Sequence, residues 1–161
     1  MLSGKRFPKA NIFIAISVCL AAGLLGSIVT YPAISSWYVA LEKPWFSPPN
    51  YLFGPVWTTL YVLKGISLYL VWKKGITNIN VRSGLKLFFI QLGLNTLWSF
   101  LFFGLKNPTA AFVDIIFLWI FIYLTIQEFK KIVPVSALLL VPYFLWVTFA
   151  SFLNLSIALL N

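Results

Sequence analysis

Five apolar stretches, each close to the 20 residues that cross a bilayer core as a helix, constrain this chain more than any other feature. They run from Asn11 to Ser35, Pro55 to Trp72, Ser83 to Phe103, Pro108 to Gln127 and Pro134 to Leu160. Strands of a membrane barrel would be half as long and would alternate in polarity, and these do not. Hydrophobic residues make up 61% of the chain and charged residues 9%, against about 25% charged in a soluble domain. A soluble fold could not hide that much apolar surface. The expectation is an all-α membrane protein: one domain over residues 1–161, a bundle of five transmembrane helices with a structured loop between the first two. The N-terminal segment has the outline of a signal peptide, but its apolar run is long and lacks a small-residue cleavage site, so it reads as a retained first span. Proline begins spans two, four and five, where its missing N–H costs least. Pro142 lies inside span five and predicts a kink or a packing gap there. No internal repeat supports an inverted-repeat transporter plan.

The formal charge is +9, but the basic residues sit in short clusters between apolar runs, where topology signals belong rather than a nucleic-acid surface. Lys5, Arg6 and Lys9 precede span one. Lys73, Lys74, Arg82 and Lys86 surround the second loop, and Lys130 and Lys131 the fourth. The opposite side has only Lys43 and Lys106. This imbalance predicts a cytoplasmic N-terminus, with the C-terminus and the first loop on the other side. The sole cysteine, Cys19, lies in an apolar run, so no disulfide joins the chain to itself. Histidine is absent, which removes the commonest metal ligand and general base, and no metal site is expected.

The first loop, residues 36–54, is the unusual connection. From Trp37 to Trp57 the chain reads WYVALEKPWFSPPNYLFGPVW, with Pro44, Pro48 and Pro49 each excluding helix. Aromatic rings at this density want apolar contact and partners for their N–H and O–H groups. The stretch reads as a lid over one end of the bundle, after which Gly54-Pro55 restarts a helix and delivers Trp57 beneath it.

Helical spacing lines up three aromatic-polar stripes. Trp57, Tyr61, Lys64 and Gly65 share a face of span two; Gln91, Asn95, Trp98 and Phe102 of span three; Trp146, Ala150 and Asn154 of span five. Converging, they would form an aromatic cavity with a few polar anchors, or else an aromatic core tied by inter-helix hydrogen bonds. Cys19, Gly23 and Ser27, with Ala22 and Gly26 beside them, allow close helix approach in span one, for packing within the bundle or for a dimer interface. An ionisable group in mid-span is a functional hypothesis by default, which singles out Lys64. Pairing with Asp114, the one acid inside a span, is the simpler account of it; a Schiff base is chemically open. Glu42 and Lys43 read as a solvated local pair. No nucleophile–base pair, phosphate loop or acidic cluster is present.

WYxxLxKPxxxPPxxxFGPVWTxLY, from Trp37 to Tyr61, is similar to the signature of the tryptophan-rich sensory protein family, which includes the mitochondrial translocator protein, also called the peripheral benzodiazepine receptor. NxxWSFLFFG, Asn95 to Gly104, resembles that family's third helix, and PYFLWVTFASFLN, Pro142 to Asn154, its fifth. The resemblance implies a five-helix bundle, usually a homodimer, with a pocket roofed by the first loop. It implies binding of porphyrins such as protoporphyrin IX, of haem and of benzodiazepine-type ligands, with no obligate cofactor. Pocket residues carried over by motif are Tyr38, Pro48, Trp57, Tyr61, Asn95, Trp98, Trp146 and Ala150. Trp57 and Trp146 would be the residues of light-dependent porphyrin degradation. The sterol motif that some members carry after the fifth-helix Leu-Asn is broken here by Leu155 and Ser156, and Lys64 stands where the family usually keeps an apolar residue, where it could reach a porphyrin carboxylate or pair with Asp114. The function expected is a membrane binding protein for porphyrin-like tetrapyrroles and other lipophilic ligands, in tetrapyrrole handling or stress sensing. A small transporter of such molecules is the alternative.

Overall fold

The computed structural model describes residues 9–161. Lys5 and Arg6, two of the residues that set the expected orientation, lie outside that range. Five long helices make up the described fold: α1 (Ile12–Ile34), α2 (Phe53–Trp72), α3 (Ile79–Ser99), α4 (Pro108–Ile132) and α5 (Pro134–Leu160). All but α2 are long and apolar enough to cross a membrane by length and composition. α2 has 20 residues and carries Thr58, Thr59, Lys64 and Ser67.

Asparagine, as much as proline, decides where these helices begin. Asn11 accepts from Phe13 N at 2.8 Å, Asn78 from Asn80 N at 2.9 Å and Asn107 from Ala110 N at 3.0 Å. Each satisfies an N–H that the first turn leaves without a partner. This is why α3 starts at Ile79, ahead of the Ser83 expected from hydropathy, since the capped turn is polar. α4 runs past Gln127 to Ile132, with Lys130 and Lys131 in a last turn whose dipole favours cations. α5 continues through Pro142 and α1 through Pro32. Beyond Ser99 the third helix widens into a π turn, Phe100–Gly104, closed by Leu105 N to Phe100 O at 2.8 Å. Lys106 then adopts a left-handed backbone, φ 52°, to turn the chain into α4.

The helices form a closed ring in the order α1, α2, α5, α4, α3, with α3 meeting α1 again. The outer surface is apolar, with Phe13, Leu24, Ile28, Phe117, Leu138, Leu145 and Phe152 all exposed. The inner polar residues are buried: Lys64, Ser67, Gln91, Asn95, Asp114, Thr125, Ser136 and Asn154. Apolar outside and selectively polar inside is the arrangement that a hydrocarbon solvent favours.

Small residues set the α1 contacts. A Cβ on Gly65 would stand 2.5 Å from Ile16 Cα, so the α1 and α2 backbones touch there. A Cβ on Gly23 would meet the Tyr61 ring at 2.5 Å, and one on Gly26 the Ser99 hydroxyl at 2.9 Å. Thr96 Oγ1 donates to Ala22 O at 3.2 Å. Ala22, Gly23 and Gly26 of span one thus make close contacts inside the bundle.

Two expected ion pairs do not form. Among the described residues the sole salt bridge is Lys131–Glu128. Lys64 and Asp114 are both buried, yet Lys64 Nζ and Asp114 Oδ2 have no hydrogen-bond partner in the protein. Lys64 is the twelfth residue of α2 and Asp114 the seventh of α4, and no ion pair joins them. The lysine meets aromatic faces instead. In the loop, Lys43 Nζ donates to Leu41 O at 3.2 Å and lies 4.7 Å from the Tyr38 ring centroid, turned from Glu42.

Candidate ligand-binding site

The lid half of the bundle is lined with rings. Tyr38, in a short turn (Tyr38–Ala40), is buried and packs on Phe53 and Phe103 at centroid distances of 6.4 and 5.7 Å. Trp37 meets Phe102 edge-on at 5.5 Å, and Phe46 meets Phe149 at 6.2 Å. Burial pushes the Tyr38 hydroxyl's pKa above its ordinary value, and a hydrogen bond with Ser47 pulls it partly back. The loop is also clasped to the end of α5: Glu42 N donates to Asn161 Oδ1 at 3.0 Å, and Asn161 Nδ2 donates to Glu42 O at 2.9 Å. The lid is thus anchored by ring packing and by two hydrogen bonds from a residue 119 positions away.

Beneath it lies a cavity of about 320 Å³. Trp57 and Tyr61 of α2, Asn95 and Trp98 of α3, Trp146 and Ala150 of α5, and Tyr38 of the loop all line it. The structure therefore brings together seven of the eight residues singled out for the pocket. Pro48 is the exception: it sits half-buried in the loop and does not reach the cavity. Phe53, the first residue of α2, does line it and meets Trp146 at 6.2 Å. Lys64, Gly65 and Gln91, the deeper ends of the stripes, also fall outside the lining.

Hydrogen bonds hold the walls. Asn95 Nδ2 donates to Tyr61 OH at 2.7 Å, joining α3 to α2. Trp98 Nε1 donates to Asn154 Oδ1 at 2.9 Å, and Asn154 Nδ2 to Pro108 O at 2.8 Å, joining α3, α5 and α4. Trp98 stacks on Phe102 at 4.9 Å because the π turn presents Phe102 and Phe103 together under the lid. Trp146 lines the cavity, while its Nε1 is buried and has no partner in the protein.

The α1 wall was not legible as a site. Gly23, Gly26, Ser27, Thr30, Tyr31 and Ile34 line the cavity. The spacing of small residues was the available signal, and it also fits plain packing. This wall is where the cavity opens. Leu24 and Tyr31 are 68% and 84% exposed, and Gly54 and Thr58 opposite them on α2 are exposed as well. The mouth therefore lies between α1 and α2, on the lipid-facing flank.

Fold and site together define a multi-pass helical membrane protein with an aromatic, ligand-sized cavity under a structured loop. The sequence matches the TspO/MBR family over residues 15–160, and the chain belongs to that family. It is 52% identical over 147 residues to the tryptophan-rich protein TspO of Archaeoglobus fulgidus, covering 91% of this chain and 94% of that one. It is 47% identical over 155 residues to the tryptophan-rich protein TspO of Chlorobaculum tepidum, covering 94% and 96%. The human translocator protein is 39% identical over 120 residues, covering 73% of this chain and 70% of its own.

Proposed function

We propose that this protein binds porphyrin-like tetrapyrroles and other flat lipophilic molecules in the cavity beneath the loop, and serves tetrapyrrole handling or stress sensing. The observation that carries the reading is the wall chemistry. Trp57, Tyr61, Trp98, Phe102 and Trp146 surround one space with aromatic faces, and Asn95 and Asn154 add polar groups among them. Sites for small molecules are concave and mostly apolar, with a few placed polar groups, and this volume falls at the lower end of their usual range of about 300–1,000 Å³. A ligand larger than the cavity extends through the α1–α2 mouth into the apolar flank. Because the chain has no histidine, a free-base porphyrin suits it better than an axially ligated haem.

Light-dependent degradation of the bound porphyrin belongs to the same proposal, with Trp57 and Trp146 as the ring contacts. The N-terminus is cytoplasmic in this reading, the loop faces the other side, and the protein pairs with a second copy. The test is a titration of purified protein with protoporphyrin IX in darkness, followed by illumination. Saturable quenching of tryptophan fluorescence is expected, then loss of porphyrin absorbance faster than in protein-free detergent. Absence of saturable quenching ends the binding reading; quenching without protein-dependent bleaching leaves binding and removes degradation.

Transport is the second reading, favoured by the lateral mouth and by the name translocator protein that the human relative carries. Protein-dependent porphyrin flux across sealed vesicles supports it, and binding without flux rejects it.

A further inference from the structure

Two buried donors with nothing to donate to lie one ring below the cavity. Lys64 is fully buried, and its Nζ has no hydrogen-bond partner. It lies 4.0 Å from the Tyr143 ring centroid and 4.8 Å from that of Tyr61. Gln91 is 1% exposed, and its Nε2 is likewise without a partner. Its Oε1 is already used, accepting from Tyr143 OH at 2.9 Å. Both donors therefore gather on one tyrosine, and that tyrosine's own hydroxyl hydrogen is spent on Gln91. The locus is rich in donors and short of acceptors. Aromatic faces stabilise an ammonium only in part, and an unpaired buried donor costs about 1–3 kcal/mol, more when charged. Asp114, the one acid buried nearby, does not reach Lys64. Cys19, on α1, is a further ionisable side chain near it, besides the two tyrosines.

What separates this locus from the cavity is thin. Tyr61 contributes its ring both to the cavity wall and to the Lys64 contact. Trp57, a lining residue, packs edge-on against Tyr143 at 6.3 Å. Tyr61 is held toward the cavity by one inter-helix hydrogen bond, from Asn95.

From this geometry we infer that Lys64 and Gln91 form a deep subsite for the acidic group of a lipophilic ligand, a carboxylate reached when the Tyr61 ring swings off Asn95. The inference rests on the cavity being a ligand site and adds the chemical class that it prefers: flat or elongated apolar molecules ending in a carboxylate. The carboxylate accepts from Lys64 Nζ and Gln91 Nε2, and the apolar body fills the aromatic cavity above. A neutral ligand finds the same walls but leaves the donors unpaired.

Two acid–ester pairs test it: protoporphyrin IX with its dimethyl ester, and pyrenebutyrate with its methyl ester. Each is titrated in detergent against wild type, Lys64→Met and Gln91→Leu. Methionine fills a similar volume without charge, so Lys64→Met should fold, and thermal melting checks this. Wild type should prefer each acid over its ester by about tenfold or more, the gain from pairing being partly offset by desolvation. In Lys64→Met that preference should vanish through weaker acid binding, with ester affinity unchanged; Gln91→Leu should reduce it. Equal affinity for acid and ester in wild type, or a preference kept in Lys64→Met, overturns the subsite. So does failure of all four probes to bind. If the pyrene acid is preferred while neither porphyrin binds, the subsite stands and the tetrapyrrole reading falls.

Discussion

Ala150 has the smallest side chain on the α5 wall of the cavity, between Trp146 and Asn154. Changing it to Thr keeps the helix. The new hydroxyl can donate one turn back to Trp146 O, as Thr148 does to Phe144 O at 2.8 Å and Ser151 to Val147 O at 2.7 Å. The added volume goes into the cavity, and overpacking costs about 1–3 kcal/mol. Porphyrin affinity should fall by roughly ten- to a hundredfold, read by fluorescence quenching, with the melting temperature little changed. Lost stability at unchanged affinity would instead mark Ala150 as a packing residue. At the tryptophans, Trp57→Phe with Trp146→Phe keeps aromatic faces but removes both indoles. Dark binding should persist while light-driven loss of absorbance slows; bleaching at the wild-type rate would make both residues bystanders. The glycines separate in the same way. Gly65→Ala forces a methyl onto the Ile16 backbone, whereas Gly54→Ala meets nothing within 4 Å. The first should lower the melting temperature, by an overpacking cost of about 1–3 kcal/mol. The second should leave it level or raise it, since alanine favours helix over glycine.

At the scale of elements, the loop between α1 and α2 and the start of α3 teach the most. The loop has almost no regular structure, yet Tyr38 within it is 3% exposed. Prolines limit its freedom before binding, and the Asn161 clasp fixes its far side. Replacing Pro48 and Pro49 with glycine, or Asn161 with alanine, should speed ligand release more than it slows capture, because a looser loop must be ordered anew around each ligand. Stopped-flow displacement reads this directly, and an unchanged off-rate would show that the loop does not retain the ligand. α3 shows how polar first turns escape hydropathy: Asn78 and Asn80 precede the apolar run, and capping draws them into the helix.

For the molecule as a whole, α1 and α2 are neighbours in the ring and touch at Gly65, and exposed lining residues of both helices put the cavity mouth at their seam nearer the loop. Ligands dissolved in the bilayer can meet that mouth without passing through water. Orientation is a separate property, set by flanking charge. A cysteine at Asn50 should react with an impermeant maleimide added to intact cells, and one at Asn78 should not. Cys19, 0% exposed, contributes no background. The opposite labelling pattern would invert the orientation argued from the basic loops.

The number of helices, their membrane setting and the aromatic-polar faces that α2, α3 and α5 turn to the cavity were legible in the sequence, because each rests on a local period. An apolar run of bilayer length declares a span. A four-residue spacing puts Trp57 with Tyr61, and Trp146 with Ala150, on one face. Other features depend on depth and on contacts between distant segments, which spacing does not encode. Lys64 and Asp114 looked like partners as the two opposite charges inside spans, but their distances from the helix starts differ, and no ion pair joins them in the bundle. The π turn after Ser99, the grip of Asn161 on Glu42, the α1 wall and the withdrawal of Pro48 from the cavity likewise belong to the packed state. So do the unused donors of Lys64 and Gln91. Whether a buried polar group finds a partner is decided by where neighbouring helices put their atoms, and only the tertiary structure holds that information.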